Sequence, residues 1–222
     1  YANAEPVFMD SDDFYNIDAA KTIEFIKTET TFKNGFTYNN KSGKRISAII
    51  PVHIFGNAVM LDALIPLCKE RNIAVIEDAT ESLGTIYTAG NYKGKFTGTI
   101  GDTGCFSFNG NKIITTGGGG MIVTNDAGKA EKAKYLTTQA KDDEVRYVHH
   151  EIGYNYRLPN VLAAIGVAQM EVLPDYIVTK KKNFAKYSKE INNIAGLKIN
   201  PTPEYADNNL WMYAMRIDKD IY

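Results

Sequence analysis

Apolar residues fall in short, dense runs separated by polar, glycine-bearing stretches, a pattern of buried strands between turns and helices. Residues 45–55, RISAIIPVHIF, form an Ile-rich run too short for a typical helix, which predicts a strand buried on both faces. In LDALIPLCKERN, Leu61, Leu64, Ile65 and Cys68 recur at helical spacing and basic residues gather at the end, predicting a helix capped by Asn57 or Asp62. IAVIED then repeats the buried-strand pattern. A strand, a helix and a strand within about thirty residues predict a right-handed parallel crossover, and so a doubly wound or similar α/β sheet.

Two shorter candidate strands, CFSF and MIVT, sit inside GTIGDTGCFSFNGNK and TTGGGGMIVTND, whose glycines permit tight turns and close backbone approach. Residues 127–139 read as helix and residues 141–150 as loop. Residues 159–173, apolar with small side chains, predict a well-buried helix. Residues 175–192 predict a second, Lys-rich helix with a solvated face, leading out of the first domain. INPTPEYADNN then precedes a strand at Trp211. The expected domains are residues 1–174 and residues 175–222. The chain does not begin with methionine, and LWMYAMRIDKDIY reads as a strand only beginning its sheet, so a fragment of a longer protein is expected.

With 222 residues and 44% hydrophobic content, the chain can bury a substantial core, which argues against disorder. A formal net charge of -1 from interspersed charges gives no footprint for nucleic acid or an anionic membrane, leaving small molecules as partners. Cys68 and Cys105 lack the spacing of a zinc site or redox dithiol and read as buried thiols in a reducing compartment. No apolar run approaches the roughly 20 residues of a membrane span, and YANAEPVFMD lacks the layout of a signal peptide. A soluble cytoplasmic protein is expected.

The chemistry that these residues could serve is that of pyridoxal phosphate. Its ring nitrogen needs a carboxylate to stay protonated, its phosphate needs several donors, and its aldehyde needs a lysine amine. Asp78 closes IAVIED, at the C-terminal edge of a parallel sheet where open α/β folds bind ligands. A carboxylate there favours a charged pyridinium; equally, it could simply cap the next turn. Glu77 alternates to the opposite face. In SFNGNK, Ser107 and Lys112 could hold phosphate oxygens and present an amine to the same ligand, though a lysine beside glycine is commonly just solvent-exposed. TTGGGG either keeps bulk away from a cofactor or makes a flexible turn. A nucleotide-binding P-loop fails on detail, because Lys112 precedes isoleucine and follows the acidic strand, and GGGG is not a dinucleotide fingerprint. His149 and His150 are sequence neighbours with no third ligand in view, so no metal is expected; His53 reads as a hydrogen-bonded core histidine near the site.

PVHIFGN, VIEDATESLG, GDTGCFSFNGNKIITTGGGGMIVTND and HHEIGYNYRL, in this order, strongly resemble the sugar aminotransferase family called the DegT/DnrJ/StrS group, over most of the chain. The resemblance implies an aspartate-aminotransferase-type fold (pyridoxal-phosphate fold type I). Its large domain carries a mostly parallel mixed sheet and is followed by part of a small C-terminal α/β domain, with active sites shared across a homodimer. It implies Lys112 as the Schiff-base lysine, Asp78 at the pyridine nitrogen and Ser107 on the phosphate. Asn155, in GYNYR, would reach the neighbouring subunit's phosphate; read alone, it is a turn residue between packed tyrosines. Glu81 stands where the family commonly has glutamine directed at the ring hydroxyl. An ionised carboxylate beside a phenolate is repulsive, so Glu81 is expected to be protonated, to share a proton with the cofactor or to be neutralised nearby. The ATES variant is similar to members making bacillosamine-, legionaminic- or perosamine-type sugars. The implied reaction passes an amino group, from glutamate, to a nucleotide-linked 4-keto-6-deoxy sugar. Relatives that deoxygenate or dehydrate sugars typically carry histidine where this chain has Lys112, and a non-catalytic binding or regulatory protein on the same fold is the remaining alternative.

Overall fold

The computed structural model describes residues 2–143 and 145–222. From the N-terminus, α1 (Ala19–Thr28) is capped by the Asp18 carboxylate, which accepts from Lys21 N. It leads into β1 (Thr30–Lys33), β2 (Phe36–Asn39) and β3 (Arg45–Ile46), a small antiparallel sheet. Next come β4 (Ala48–Ile49), α2 (Leu64–Glu70), β5 (Ala74–Asp78), β6 (Ile86–Tyr87), β7 (Thr103–Ser107) and β8 (Gly120–Val123). The last elements are α3 (Ala127–Thr137), α4 (Asn160–Ile191), β9 (Leu197–Ile199), β10 (Ala206–Asp207) and β11 (Met215–Ile217).

The sheet that matters for function has the order β4-β5-β7-β8 among the described residues. β4, β5 and β7 run parallel, and β8 returns antiparallel with Ser107 opposite Gly120. The β4–α2–β5 unit is the expected parallel crossover. Its apolar face is real: Leu61, Leu64, Leu67 and Cys68 join Ile26, Ile73 and Val75 in the main core. A smaller cluster of Phe108, Ile114 and Leu173, flanked by Ile113 and Ile177, lies on either side of the Lys112 turn and packs it against α4.

Several local expectations change. RISAIIPVHIF is not one doubly buried strand: it splits between β3 and β4, and β4 lies at the sheet edge, with Ile50 57% exposed. Pro51 cannot donate to a ladder, and beyond it only Val52 bridges to Asp78. α2 starts later than expected, with Ala63 at its N-cap and no side-chain cap. Asp62 instead accepts from Asn91 N, and Asn57 is consumed in a buried network. The two helices expected on either side of position 174 are one, α4, with Pro174 inside it and Leu173 its single buried residue among those described. A proline costs one hydrogen bond within a helix without ending it where packing holds both halves. By length and composition α4 is also apolar enough to cross a membrane, with a window of mean hydropathy 1.5 that is 6% buried. Trp211 lies in irregular chain, and the strand begins only at β11, paired antiparallel with β9. Of the loop expected over residues 141–150, Glu144 lies outside the described residues; the remainder is turn and bridge.

Candidate active site

Because β5 and β7 are parallel, their last residues, Asp78 and Ser107, share one edge of the sheet. The chain leaving Ser107 turns at once, with Lys112 N–H donating to Asn109 O (3.1 Å), and re-enters the sheet at Gly120. Asp78, Ser107 and Lys112 are therefore delivered to the same rim by topology alone.

Alternation along β5 sends its two acidic side chains to opposite faces, with different results. Glu77 is fully buried. Its carboxylate accepts from Gly98 N (2.8 Å), Ile100 N (2.6 Å), Gly101 N (2.6 Å) and His53 Nε2 (3.0 Å). Burial pushes the Glu77 carboxyl up, but the His53 bond and the backbone donors outweigh it and hold the group below its ordinary value. His53 Nδ1 accepts from Val59 N (3.0 Å), so its proton is assigned to Nε2, which donates to Glu77. His53 is thus a satisfied core histidine. The close passage of residues 98–101 requires glycine: a Cβ on Gly104 would lie 1.9 Å from Gly98 O.

Asp78, half-buried on the other face, accepts from Thr80 N through Oδ1 (3.1 Å), which starts the turn leading to Glu81. The capping role and the site role are compatible, since a carboxylate has more than one acceptor position. Glu81 Oε2 accepts from Phe55 N (2.7 Å), and Glu81 Oε1 lies 3.8 Å from Lys112 Nζ. Phe55 presents that N–H from a left-handed conformation (φ 55°, ψ 21°), held by its neighbours on all sides. Asn16 Oδ1 accepts from Ile54 N (3.0 Å), Thr85 Oγ1 donates to Gly56 O (2.9 Å) and Asn208 Nδ2 donates to Asn57 Oδ1 (2.7 Å). Such a strained non-glycine conformation persists only where its surroundings over-determine it.

The Lys112 side chain is 13% exposed. Its amine faces Glu81 on one side and lies 4.4 Å from the centroid of the Trp211 ring. Ser107 Oγ accepts from Asn109 N (3.2 Å), leaving its hydroxyl proton to donate elsewhere. Asn155 is exposed and not gathered with these groups: it bridges to Thr138 just beyond α3, beside the stacked rings of Tyr154 and Tyr156 (centroids 5.2 Å). Burial, then the charge of Asp78, raises the Cys105 thiol, and burial raises Cys68 to about 11, so neither is an activated nucleophile. Among the described residues, no group of three or more His, Cys, Asp or Glu side chains is arranged to hold a metal.

The donor set fits pyridoxal phosphate: a carboxylate for a ring nitrogen, a hydroxyl for a phosphate and a shielded amine for an aldehyde, on one rim. Trp211 and Phe55 were not singled out from the chain as site residues. Nothing local marks Phe55, whose contribution is a backbone N–H; an isolated tryptophan after a polar stretch was the only signal for Trp211.

Comparison with known proteins agrees with this reading. Residues 1–221 match the DegT/DnrJ/EryC1/StrS aminotransferase family. EpsN of Bacillus subtilis, whose name assigns it provisionally to the pyridoxal-phosphate-dependent aminotransferases, is 40% identical over 224 residues, covering 100% of this chain and 53% of the relative. GDP-perosamine synthase of Caulobacter vibrioides is 34% identical over 223 residues, covering 100% and 54%. Among solved structures, the aminotransferase TlmJ of Streptoalloteichus hindustanus superposes with a TM-score of 0.80 at 27% identity, covering 98% of this chain and 55% of that one. The chain thus spans about half the length of the curated relatives it matches.

Proposed function

Because the chain belongs to the DegT/DnrJ/EryC1/StrS aminotransferase family and has its pyridoxal-phosphate fold type I, we propose that it is the Lys112-bearing part of an aminotransferase acting on a nucleotide-linked 4-keto-6-deoxy sugar. The amino donor in this reading is L-glutamate, and the product is an amino sugar for surface glycans. The observation that carries it is the Lys112 amine, shielded at 13% exposure beside Glu81, on the rim that Asp78 and Ser107 also occupy.

Pyridoxal phosphate, when bound, supplies an electron-accepting ring and an aldehyde that takes up the amino group. Asp78 would keep the ring nitrogen protonated, and the Ser107 hydroxyl would donate to a phosphate oxygen. Lys112, as a free amine, would take the proton from the substrate carbon and return it at the cofactor's aldehyde carbon, acting as base and then acid. Glu81, with Oε2 committed to the Phe55 N–H, would turn its other oxygen towards the ring hydroxyl and share that proton.

Asn155 is proposed to complete the partner subunit's phosphate site in a homodimer. Its exposure supports this, as does the apolar surface of α4, where Val161 is 73% and Val167 62% exposed. Residues 1–174 would form the cofactor domain and residues 175–222 the link to a second one. Two free thiols and a nucleotide-linked substrate support a cytoplasmic setting.

The test is direct. Lys112→Ala should abolish the visible absorbance of protein-bonded cofactor and stop formation of amino sugar from keto sugar and glutamate; full retained turnover would rule out this role. Detecting the amine by mass spectrometry separates transfer from dehydration and from binding alone.

A further inference from the structure

The residues flanking the Lys112 amine are joined to each other through a third, Asn209, 97 positions further along the chain. Asn209 is fully buried. Its Nδ2 donates to Glu81 O (2.9 Å) and Leu83 O (3.0 Å), its own N–H donates to Thr85 Oγ1 (3.0 Å), and its Oδ1 accepts from Trp211 N (3.0 Å). One amide side chain therefore grips both the turn that carries Glu81 and the backbone of Trp211. Trp211, 6% exposed, then reaches Lys112 twice. Its Nε1 donates to Asn111 O (2.7 Å), which holds the peptide just before the lysine, and its ring lies over Nζ at 4.4 Å. Behind it, Lys180 Nζ donates to Trp211 O (2.9 Å), tying the same residue to α4.

We propose that Trp211, anchored by Asn209, is a positioning residue for Lys112: the indole N–H fixes the turn that carries the lysine, and the indole face closes off its amine. The second-domain side of the chain would then set where the amine stands, rather than the glycine-rich turn alone. This rests on Lys112 being the reacting amine, and it goes beyond that reading by assigning control of the amine to a residue 99 positions away.

Chemical labelling tests it without cofactor. The cofactor-free protein is pulsed with formaldehyde and cyanoborohydride, and methylation of Lys112 is read by mass spectrometry as a ratio to that of exposed Lys93. Trp211→Leu should raise the ratio about fivefold. Trp211→Phe keeps a ring and loses the N–H donor, and should raise it roughly twofold. Added pyridoxal phosphate should form its visible band more slowly in both variants, with inorganic phosphate competing as well as in the parent. A ratio unchanged in both variants overturns the inference. If Trp211→Leu loses the amide protection of β5 and β7, Trp211→Phe alone decides, and an unchanged ratio there overturns it. Failure of the underlying functional reading would look different: Lys112→Ala would keep the visible band, whatever the labelling showed.

Discussion

At the scale of single residues, the buried Glu77 carboxylate contributes most clearly to stability. It is fully desolvated, yet four donors converge on it, a balance that favours the ionised form. Its folded value lies below the ordinary 4.5, so it contributes stability that is present above about that pH and is lost as pH falls through the lowered folded value. Glu77→Gln would aim an NH₂ group at donors that already point inward, leaving buried N–H groups unpaired. We expect it to cost about 3 kcal/mol at neutral pH in denaturant titrations, and to remove the share of any stability loss below pH 4.5 that comes from protonating Glu77. Glu81, four positions on, has the opposite design: one oxygen is fixed by Phe55 N and the other is turned towards Lys112. The strand ends at Asp78 and Ser107 and the glycine-bearing turn at Lys112 were legible in the chain, because strand ends and glycine turns are written locally. The chain alone could not reveal what each one touches.

At the scale of elements, residues 98–101 and β7 form a single device. Gly104 lets the loop cross the strand, and the loop carries the three backbone donors of Glu77. Gly104→Ala would drive a methyl group into Gly98 O, so the loop must lift away from the carboxylate. The expected loss is about 3 kcal/mol, and it should be strongly non-additive with Glu77→Gln in a double-mutant cycle, since both changes break one set of bonds. The crossover from β4 through α2 to β5 was legible from periodicity. The cap of α2 and the unity of α4 were not. Asn57 and Asp62 are good capping residues that found other partners, and Pro174 looks like a boundary in one dimension yet is spanned by continuous helix in three.

At the scale of the whole molecule, α4 presents apolar residues outwards over a length and hydropathy that a soluble monomer would ordinarily cover. In the proposed homodimer, Asn155 of one subunit serves the Lys112 of the other. Mixing Lys112→Ala with Asn155→Ala subunits, each impaired alone, should then restore activity in mixed dimers, to roughly a quarter of the parent's sites at equal mixing. No recovery after subunit exchange, with both variants folded, would mean that each site is built within one chain.

What the linear order of residues determined was the alternation of strands and helices and the sheet rim at which Asp78 and Ser107 end their strands; hydrophobic period and turn chemistry act over a few positions, and so are visible there. What only the tertiary structure decided was the company each group keeps. Four backbone and imidazole donors were brought to Glu77, a strained Phe55 amide to Glu81, and an indole from 99 positions away to Lys112. These are meetings between distant segments packed around a common core, set by how the layers close over one another rather than by any spacing along the chain.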